Sequence, residues 1–206
     1  MVKSLSNVLG TRGYEKVVES FTEASLVLDF KEVNRDFLHL LPKSPAKVLD
    51  AGSGVGQNSA ALSEEGYSVV AIEPLQEFLD IAKNQFSHLN VEWINDSLPD
   101  MKTILGNKEK FDFILMDGVW HHLSNDERRE CIYNFSRITH KGGICAISLR
   151  NGPAGAGSHI FPAPVNEIAE LAKEYGFKVV LQKEGQKSKM PNKPNVIWSR
   201  VALEKV

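Results

Sequence analysis

The sequence predicts an α/β fold in which a doubly wound, mostly parallel sheet of seven strands forms a single domain. Short apolar runs alternate with helical patterns from residue 46 to the C-terminus, which is typical of a parallel sheet covered by helices on both faces. A glycine-rich turn follows the first apolar run directly. The last two runs are joined only by GQKSKMPNKPN, which has no room for a crossover helix, so these two strands must be antiparallel.

The elements can be placed in order along the chain. Helices are expected between the strands, and the helix from Ser124 begins with the capping-box sequence SNDE, in which Glu127 follows three residues later. Pro74 suits the first turn of the helix after the second strand. The predicted strands occupy residues 47–51, 68–73, 91–95, 111–117, 144–149, 178–182 and 196–203.

Residues 1–45 form a leader ahead of the main domain, which covers residues 46–206. The leader carries two helical patterns, at 14–26 and 30–41. Its apolar residues either cover the sheet or close over a ligand site as an N-terminal helical lid. Arg12 and Tyr14 are the leader residues that we expect to reach a ligand.

Composition excludes several classes of protein. The chain has 206 residues and a formal charge of −2, which suits one domain and gives no basic field for nucleic acid or anionic membranes. No apolar run approaches the roughly 20 residues of a membrane span, and no secretory signal is evident, so we expect a cytoplasmic protein. Cys131 and Cys145 are expected to be buried free thiols. The histidines lack metal-ligand spacing, because the adjacent His121 and His122 should point to opposite sides of a strand end, so no metal is expected.

The segment VLDAGSGVGQNSAAL, at residues 48–62, indicates a ligand site. A strand ending at Asp50, a glycine loop and a helix N-terminus offer backbone N–H groups and a helix dipole to a ligand. The loop glycines allow positive φ and close approach to the backbone. Glu73 ends the next apolar run, about 20 residues on, where an acid accepts hydrogen bonds from both ribose hydroxyls of a nucleoside. The loop glycines are Gly52, Gly54 and Gly56.

The spacing of the three glycines indicates which class of nucleoside-containing ligand the loop binds. A dinucleotide fingerprint, G-x-G-x-x-G, would place a glycine at Gln57, but the third glycine is Gly56. The pattern D-x-G-x-G-x-G, followed by Glu73 and a final antiparallel strand pair, resembles motif I of the class I S-adenosylmethionine-dependent methyltransferases. The resemblance covers residue 46 to the C-terminus and implies a Rossmann-like sheet whose last strand inserts between the fifth and sixth. A nicotinamide or flavin site, and a structural turn without ligand, are the alternatives.

The resemblance implies S-adenosylmethionine as cofactor and places its contacts at the strand ends. Asp96 matches an acid that accepts from the adenine amine, with the Ser97 N–H on a ring nitrogen, although either residue could instead cap a helix. Asp117 and Gly118 would lie beside the methionine part. Trp120 could face the sulfonium as a cation–π partner or simply pack in the interior. The predicted cofactor residues are Asp50, Ala51, Gly52, Gly54, Gly56, Glu73, Pro74, Asp96, Ser97, Asp117, Gly118, Trp120, Tyr14 and Arg12.

The stretch VWHHL after the fourth strand is the expected catalytic segment. Methyl transfer from a sulfonium is an in-line displacement at about 3–3.5 Å, and a protic acceptor also needs a base. VWHHL resembles the hHH stretch of small-molecule methyltransferases such as the quinone-biosynthesis type. His121 or His122 would therefore act as base or orient the acceptor, because imidazole titrates near neutral pH. The alternative is that one histidine caps the helix at Ser124 and the other packs beneath it.

The acceptor site is expected where the fifth strand ends. Arg150 suits a carboxylate or phosphate, or else a structural ion pair. The long loop 151–164 is typical of a functional lid, and its His159 and Phe161 could line the acceptor pocket. The last loop carries lysines and should lie on the same face of the sheet. Their positive charge is compatible with an anionic acceptor. These lysines are Lys187, Lys189 and Lys193.

The sequence therefore predicts a methyltransferase acting on a small-molecule acceptor, as a monomer or homodimer. One alternative is an RNA or protein acceptor, but the weak net charge and the sequence DGVW, in place of D/N-P-P-Y/F, disfavour methylation of nucleic-acid bases. The other alternative is a module that binds the cofactor without catalysis. The fold alone does not identify the acceptor, because function depends on the site built on it.

Overall fold

Seven strands form one mixed sheet in the computed structural model, which describes residues 8–188 and 193–206. The strand order is β3-β2-β1-β4-β5-β7-β6. Neighbouring strands from β3 to β5 are parallel, whereas β7 is antiparallel to both β5 and β6. This confirms the predicted fold and the insertion of the last strand. The strands are β1 (Lys47–Ala51), β2 (Ser68–Ile72), β3 (Val91–Ile94), β4 (Phe111–Met116), β5 (Thr139–Asn151), β6 (Phe177–Lys187) and β7 (Ile197–Lys205).

Strand β5 begins earlier than predicted. Gly142 and Gly143 precede the predicted strand at 144–149, but they lie inside β5, where Gly142 has a φ of 79°. The pairing with β4 shifts register there, from Phe111 opposite Thr139 to Phe113 opposite Ile144. The glycine pair therefore forms an irregularity in a continuous strand rather than its boundary.

Helices cover both faces of the sheet, and side chains that alternate along the strands give two apolar clusters. Leu49 and Ile114 belong to one cluster with residues of α5, α6 and α7, whereas Val48 and Phe113 belong to the other with residues of α2 and α3. The helices are α1 (Val18–Leu26), α2 (Phe30–Val33), α3 (Gln57–Glu64), α4 (Gln76–Gln85), α5 (Lys102–Asn107), α6 (Asn125–Ile138) and α7 (Val165–Glu174). No helix in the described ranges is long and apolar enough to cross a membrane.

The helix starts are set by side chains. The capping box of α6 forms as predicted, because the Glu127 N–H donates to Ser124 and the Ser124 N–H donates to the Glu127 carboxylate at 2.7 Å. The prediction that Pro74 begins a helix is wrong by two residues. The Glu73 carboxylate accepts the N–H of Leu75, and α4 starts only at Gln76.

The leader is less helical than predicted. Residues Leu9–Thr11 and Tyr14–Lys16 form 3₁₀ turns before α1. The second pattern gives a single α-helical turn, α2, and a 3₁₀ turn at Leu38–Leu40. Helix α2 ends early because the Asn34 side chain donates to the Phe30 carbonyl, and the Asp36 side chain accepts from β6.

Candidate active site

The three loop glycines have positive φ values of 82°, 55° and 87°, but they serve different purposes. A Cβ on Gly52 would lie 2.5 Å from Val119, and one on Gly56 would lie 2.5 Å from the Trp93 ring. At Gly54 the nearest atom would be Phe21 Cε1, at 3.7 Å. Gly52 and Gly56 are therefore needed for packing, and only Gly54 of the three leaves its backbone open to a ligand.

Glu73 is a buried carboxylate without a cationic partner among the described residues. Its Oε2 accepts the Gly54 N–H at 3.0 Å, and its Oε1 accepts the Leu75 N–H at 2.8 Å. Burial raises the pKa of Glu73 to about 7. Each oxygen keeps a lone pair, so the group can still accept from a ribose diol. Pro74 follows it in the chain, and its carbonyl accepts from the Asn95 side chain.

Two further acids lie behind the loop. Asp50 is buried and accepts from the Ser59 hydroxyl at 2.6 Å, and burial raises its pKa to about 7. Asp117, after β4, accepts from the Ser148 hydroxyl, which in turn accepts the Gly118 N–H at 2.7 Å. Ala51 is fully buried in the core, and its direct contact with the cofactor stays a prediction.

Asp96 caps helix α5 with both of its oxygens. They accept backbone N–H groups from Ser97, Lys102, Thr103 and Ile104. The Ser97 N–H is thus already used within the protein. The capping alternative therefore holds, and an adenine contact by Asp96 and Ser97 stays a prediction.

Trp120 packs in the interior, which is the second of its two predicted roles, and its contact with the cofactor stays a prediction. Its side chain is fully buried, and its cationic neighbour is the Arg128 guanidinium, 5.5 Å from the ring centroid. The Arg12 side chain is exposed and does not line the main cavity. Arg12 instead uses its carbonyl, which accepts from the N–H and the hydroxyl of Ser158.

The two histidines lie side by side on a 3₁₀ turn, Trp120–His122, rather than on a strand end. Their ring centroids are 4.0 Å apart, so the expectation that they point to opposite sides is wrong. His122 Nδ1 lies 2.8 Å from the His159 carbonyl and must therefore carry a hydrogen. Its Nε2 is then the acceptor for the Tyr14 hydroxyl, at 3.1 Å.

The two imidazoles differ in their capacity to accept a proton. His121 is buried, its Nδ1 has no hydrogen-bond partner among the described residues, and burial together with His122 lowers its pKa to about 2. Burial also lowers the pKa of His122, whereas the His159 carbonyl raises it. Both rings are neutral near pH 7, but only His122 has a defined hydrogen-bonding chain.

A cavity of about 260 Å³, here called the main cavity, lies beside these groups. Both histidines, Tyr14 and Arg150 line it, as do Asp117 and Gly118. His159 does not, since it contributes its carbonyl to His122, and Phe161 lines a separate cavity of about 230 Å³ with His121 and Arg150. Lys187 and Lys193 line the main cavity, and Lys189 lies outside the described residues.

Comparison with known proteins finds a methyltransferase domain in part of the chain. Residues 48–143, which include the glycine loop and Glu73, match the family model of a methyltransferase domain. The matched range is slightly less than half of the chain, and over it the chain is similar to methyltransferases.

Two curated relatives of the chain are uncharacterized methyltransferases. An uncharacterized methyltransferase of Anoxybacillus flavithermus is 31% identical over 107 residues, which are 50% of this chain and 47% of that protein. One of Bacillus licheniformis is 29% identical over 153 residues, or 71% of this chain and 70% of that protein. The matched part is about half the length of the Anoxybacillus relative.

Solved structures share the fold over nearly the whole chain. A TehB-like methyltransferase of Corynebacterium glutamicum has a TM-score of 0.69 at 21% identity, covering 95% of this chain and 99% of its own. The 1,6-didemethyltoxoflavin-N1-methyltransferase of Burkholderia thailandensis has a TM-score of 0.69 at 20% identity, covering 94% and 84%. At such identities the similarity establishes the fold alone.

Several residues that line the main cavity were not predicted from the sequence. Trp198 and Arg200 come from β7, and Phe21 comes from α1. The sequence signal for the first two is the alternation W-x-R in a strand that is otherwise apolar. Phe21 stacks on Phe78, with ring centroids 4.8 Å apart, and both rings also lie close to Tyr14.

Proposed function

We propose that this protein transfers the methyl group of S-adenosylmethionine to a small-molecule acceptor by in-line displacement. The observation that carries the proposal is the buried, uncompensated Glu73 carboxylate beside the open backbone of Gly54. A carboxylate in this position suits a nucleoside diol and repels a phosphate. A concave cavity of about 260 Å³, lined by Gln57 after the loop and by Gly118, supports a small acceptor rather than a macromolecule.

The residues present fit this cofactor. Glu73 would accept from the ribose hydroxyls, Gly54 would pack against the ligand, and Asp117 with Gly118 would lie at the methionine part. The Oε1 of Gln57 is buried at the cavity wall without a hydrogen-bond partner among the described residues, and it is a further acceptor for a ligand donor. When bound, the cofactor supplies an electrophilic methyl group. Asp50 and Asp117 would favour its positive charge electrostatically.

His122 is the better candidate for the base. Its Nε2 faces Tyr14 at the main cavity, and its Nδ1–H is held by a carbonyl, which stabilises the protonated ring. His122 would take the acceptor proton at Nε2 directly or through the Tyr14 hydroxyl. His121, with its pKa near 2, would act as a packing partner that holds His122 in place.

The leader is proposed to act as a lid over the cofactor. Phe21 lies over Gly54, and Tyr14 reaches His122. The backbone at Arg12 binds the loop after β5 through Ser158. An anionic acceptor held by Arg150, a cytoplasmic location, and a monomeric or homodimeric state complete the proposal.

Calorimetry with S-adenosylhomocysteine tests the cofactor assignment. Loss of the Glu73 carboxylate should weaken binding by about 10- to 100-fold, because hydrogen bonds to a charged group contribute about 1.5–3 kcal/mol. The test variant is Glu73→Gln, and the control is Glu92→Gln, an exposed acid on β3. Equal affinity of Glu73→Gln and wild type would remove the ribose role.

A screen for transferred label tests the reaction. The protein is incubated with methyl-labelled S-adenosylmethionine and fractionated small molecules, RNA or protein from a cell extract. Label in the small-molecule fraction supports the proposal, whereas label in RNA or protein supports the alternative acceptors. Tight cofactor binding without transfer to any fraction would indicate a binding module without catalysis.

A further inference from the structure

Four side chains from two neighbouring strands project on one face of the sheet at the main cavity. The antiparallel register sets Ser148 opposite Arg200 and Arg150 opposite Trp198. Directly opposed residues share a face, and so do residues two apart on a strand. Ser148 holds Asp117, and the other three side chains line the main cavity.

Both arginines are buried without an ion pair. Arg150 is 8% exposed and donates to the Pro153 carbonyl at 2.8 Å, and Arg200 is 7% exposed with two backbone contacts at 3.5 Å. No described carboxylate oxygen lies within 4.0 Å of either guanidinium. Residues 1–7 and 189–192, which the structure does not describe, contain no Asp or Glu. Burial lowers the pKa of Arg200 but Asp117 and Asp36 lie close enough to raise it, whereas no described carboxylate raises the pKa of Arg150. A buried cation without a counter-charge is costly, so Arg150 favours an anionic ligand.

Lys193 adds a third cation at the same cavity. Its burial and the nearby Arg150 charge lower the pKa of its ammonium group. Three acids also line the wall, Glu32, Asp36 and Asp117, and none of them forms an ion pair within 4.0 Å with Arg150 or Lys193. Asp36 accepts from Lys183 at 2.7 Å and from Gln186 at 2.8 Å, and Asp117 accepts from Ser148. The charge left uncompensated at Arg150 and Lys193 is therefore positive.

The remaining wall is aromatic. Trp198 lines the cavity, and the Arg200 guanidinium lies 5.0 Å from its ring centroid, which restrains the indole. Tyr14 and Phe21 line the cavity from the leader. Aromatic walls of this kind recognise a planar ring through stacking and edge contacts.

We propose that the methyl acceptor is a planar aromatic or conjugated oxyanion, whose anionic group binds Arg150 and Lys193 and whose ring packs on Trp198. The inference rests on the proposed function only in calling the bound molecule the methyl acceptor. The binding site itself is defined by the three side chains and stands without the reaction.

Calorimetric titration of the protein with 2-naphthoate tests the proposal, in the presence of saturating S-adenosylhomocysteine. Two matched ligands separate its parts: 2-naphthamide keeps the rings and removes the charge, and decahydro-2-naphthoate keeps the charge and removes planarity. We expect 2-naphthoate to bind at least tenfold more tightly than either. Equal affinity of the amide would overturn the anion site, and equal affinity of the saturated acid would overturn the stacking role.

Variants locate the binding. Arg150→Gln, Lys193→Gln and Trp198→Leu should each weaken 2-naphthoate binding about tenfold, whereas Arg129→Gln, an exposed arginine outside the cavity, should not. Lys193→Gln serves as the test of the anion site if Arg150→Gln does not fold. Naphthoate affinities unchanged in the folded variants would contradict the proposal.

The two proposals fail in different ways. Protein that binds S-adenosylhomocysteine but not 2-naphthoate would overturn the acceptor class and leave the methyltransferase assignment in place. Protein that does not bind S-adenosylhomocysteine is titrated with 2-naphthoate alone. Binding of 2-naphthoate in that case would support the oxyanion site and contradict the proposed function.

Discussion

The Tyr14 hydroxyl lies 3.1 Å from Nε2 of His122, so a residue of the leader completes the hydrogen bonding of a residue that follows β4. The other ring nitrogen of His122 lies 2.8 Å from the His159 carbonyl, in the loop after β5. Gly157 packs against both Tyr14 and His122, since a Cβ there would lie 2.5 Å from His122 and 2.7 Å from Tyr14. Three distant segments thus fix one imidazole in a single tautomer.

Replacing His122 should slow the reaction far more than replacing its neighbour. With the acceptor found by the label screen, His122→Asn should lower kcat by about 10²- to 10⁴-fold, because general-base catalysis contributes that much. The burial-lowered pKa of His122 keeps its ring neutral near pH 7, so wild-type kcat should be constant around neutrality and fall only at acidic pH. His121→Asn is the matched control. A larger loss of kcat in this control would reverse the assignment.

The loop glycines should separate stability from ligand binding. Gly56→Ala should destabilise the protein by about 1–3 kcal/mol, because its Cβ would meet the Trp93 ring at 2.5 Å and Ala82 at 3.0 Å. Gly54→Ala adds a Cβ in open space, so its cost is limited to about 1–2 kcal/mol for the left-handed backbone. It should nevertheless weaken cofactor binding. Urea unfolding and calorimetry measure the two effects, and wild-type affinity in Gly54→Ala would contradict the assignment.

Asp50→Asn should change how stability depends on pH. Burial raises the pKa of Asp50 from 3.8 to about 7, so the folded protein binds a proton more tightly than the unfolded chain between these values. The stability that this proton contributes is present at low pH and lost as the pH rises to 7.

The Asp50→Asn variant has no carboxyl group to bind this proton, so it does not lose stability in this way as the pH rises. Its free energy of unfolding, relative to wild type, should therefore increase from pH 4 to pH 7, by at most about 1.4 kcal/mol per pH unit. Urea denaturation without cofactor at several pH values measures the difference. A difference that is constant over this range would show that Asp50 has no raised pKa.

Arg128 should be a major stabilising residue. It is fully buried, donates to Glu167 at 2.7 Å and to the Pro162 carbonyl at 2.8 Å, and packs on Trp120. Arg128→Ala should cost about 3–5 kcal/mol, because it leaves these acceptors without a donor and opens a cavity. Arg129→Ala, which breaks an exposed pair with Glu174, should have little effect in the same denaturant titration. Similar losses in both variants would contradict this interpretation.

The fold was predictable because its signals are local. The alternation of apolar runs with helical patterns predicted the parallel sheet, and the short connection after β6 predicted the antiparallel strand pair. The site was predictable only where one segment carries it, as at Glu73 and the glycine loop. Trp198 and Arg200 meet Arg150 through strand register, which nothing in a single segment specifies. The sequence left two roles open for Trp120, because the 3₁₀ turn that directs its ring inward has no local signal.

The bond between the Gly54 N–H and the Glu73 carboxylate has a consequence for protein engineering. Retargeting such a crevice to a phosphorylated nucleotide would start with reversing the charge at residue 73. That change would also remove the acceptor that holds the loop backbone in place. Altered nucleotide preference therefore requires the loop to be redesigned together with the acid, because at this position selectivity and architecture share one side chain.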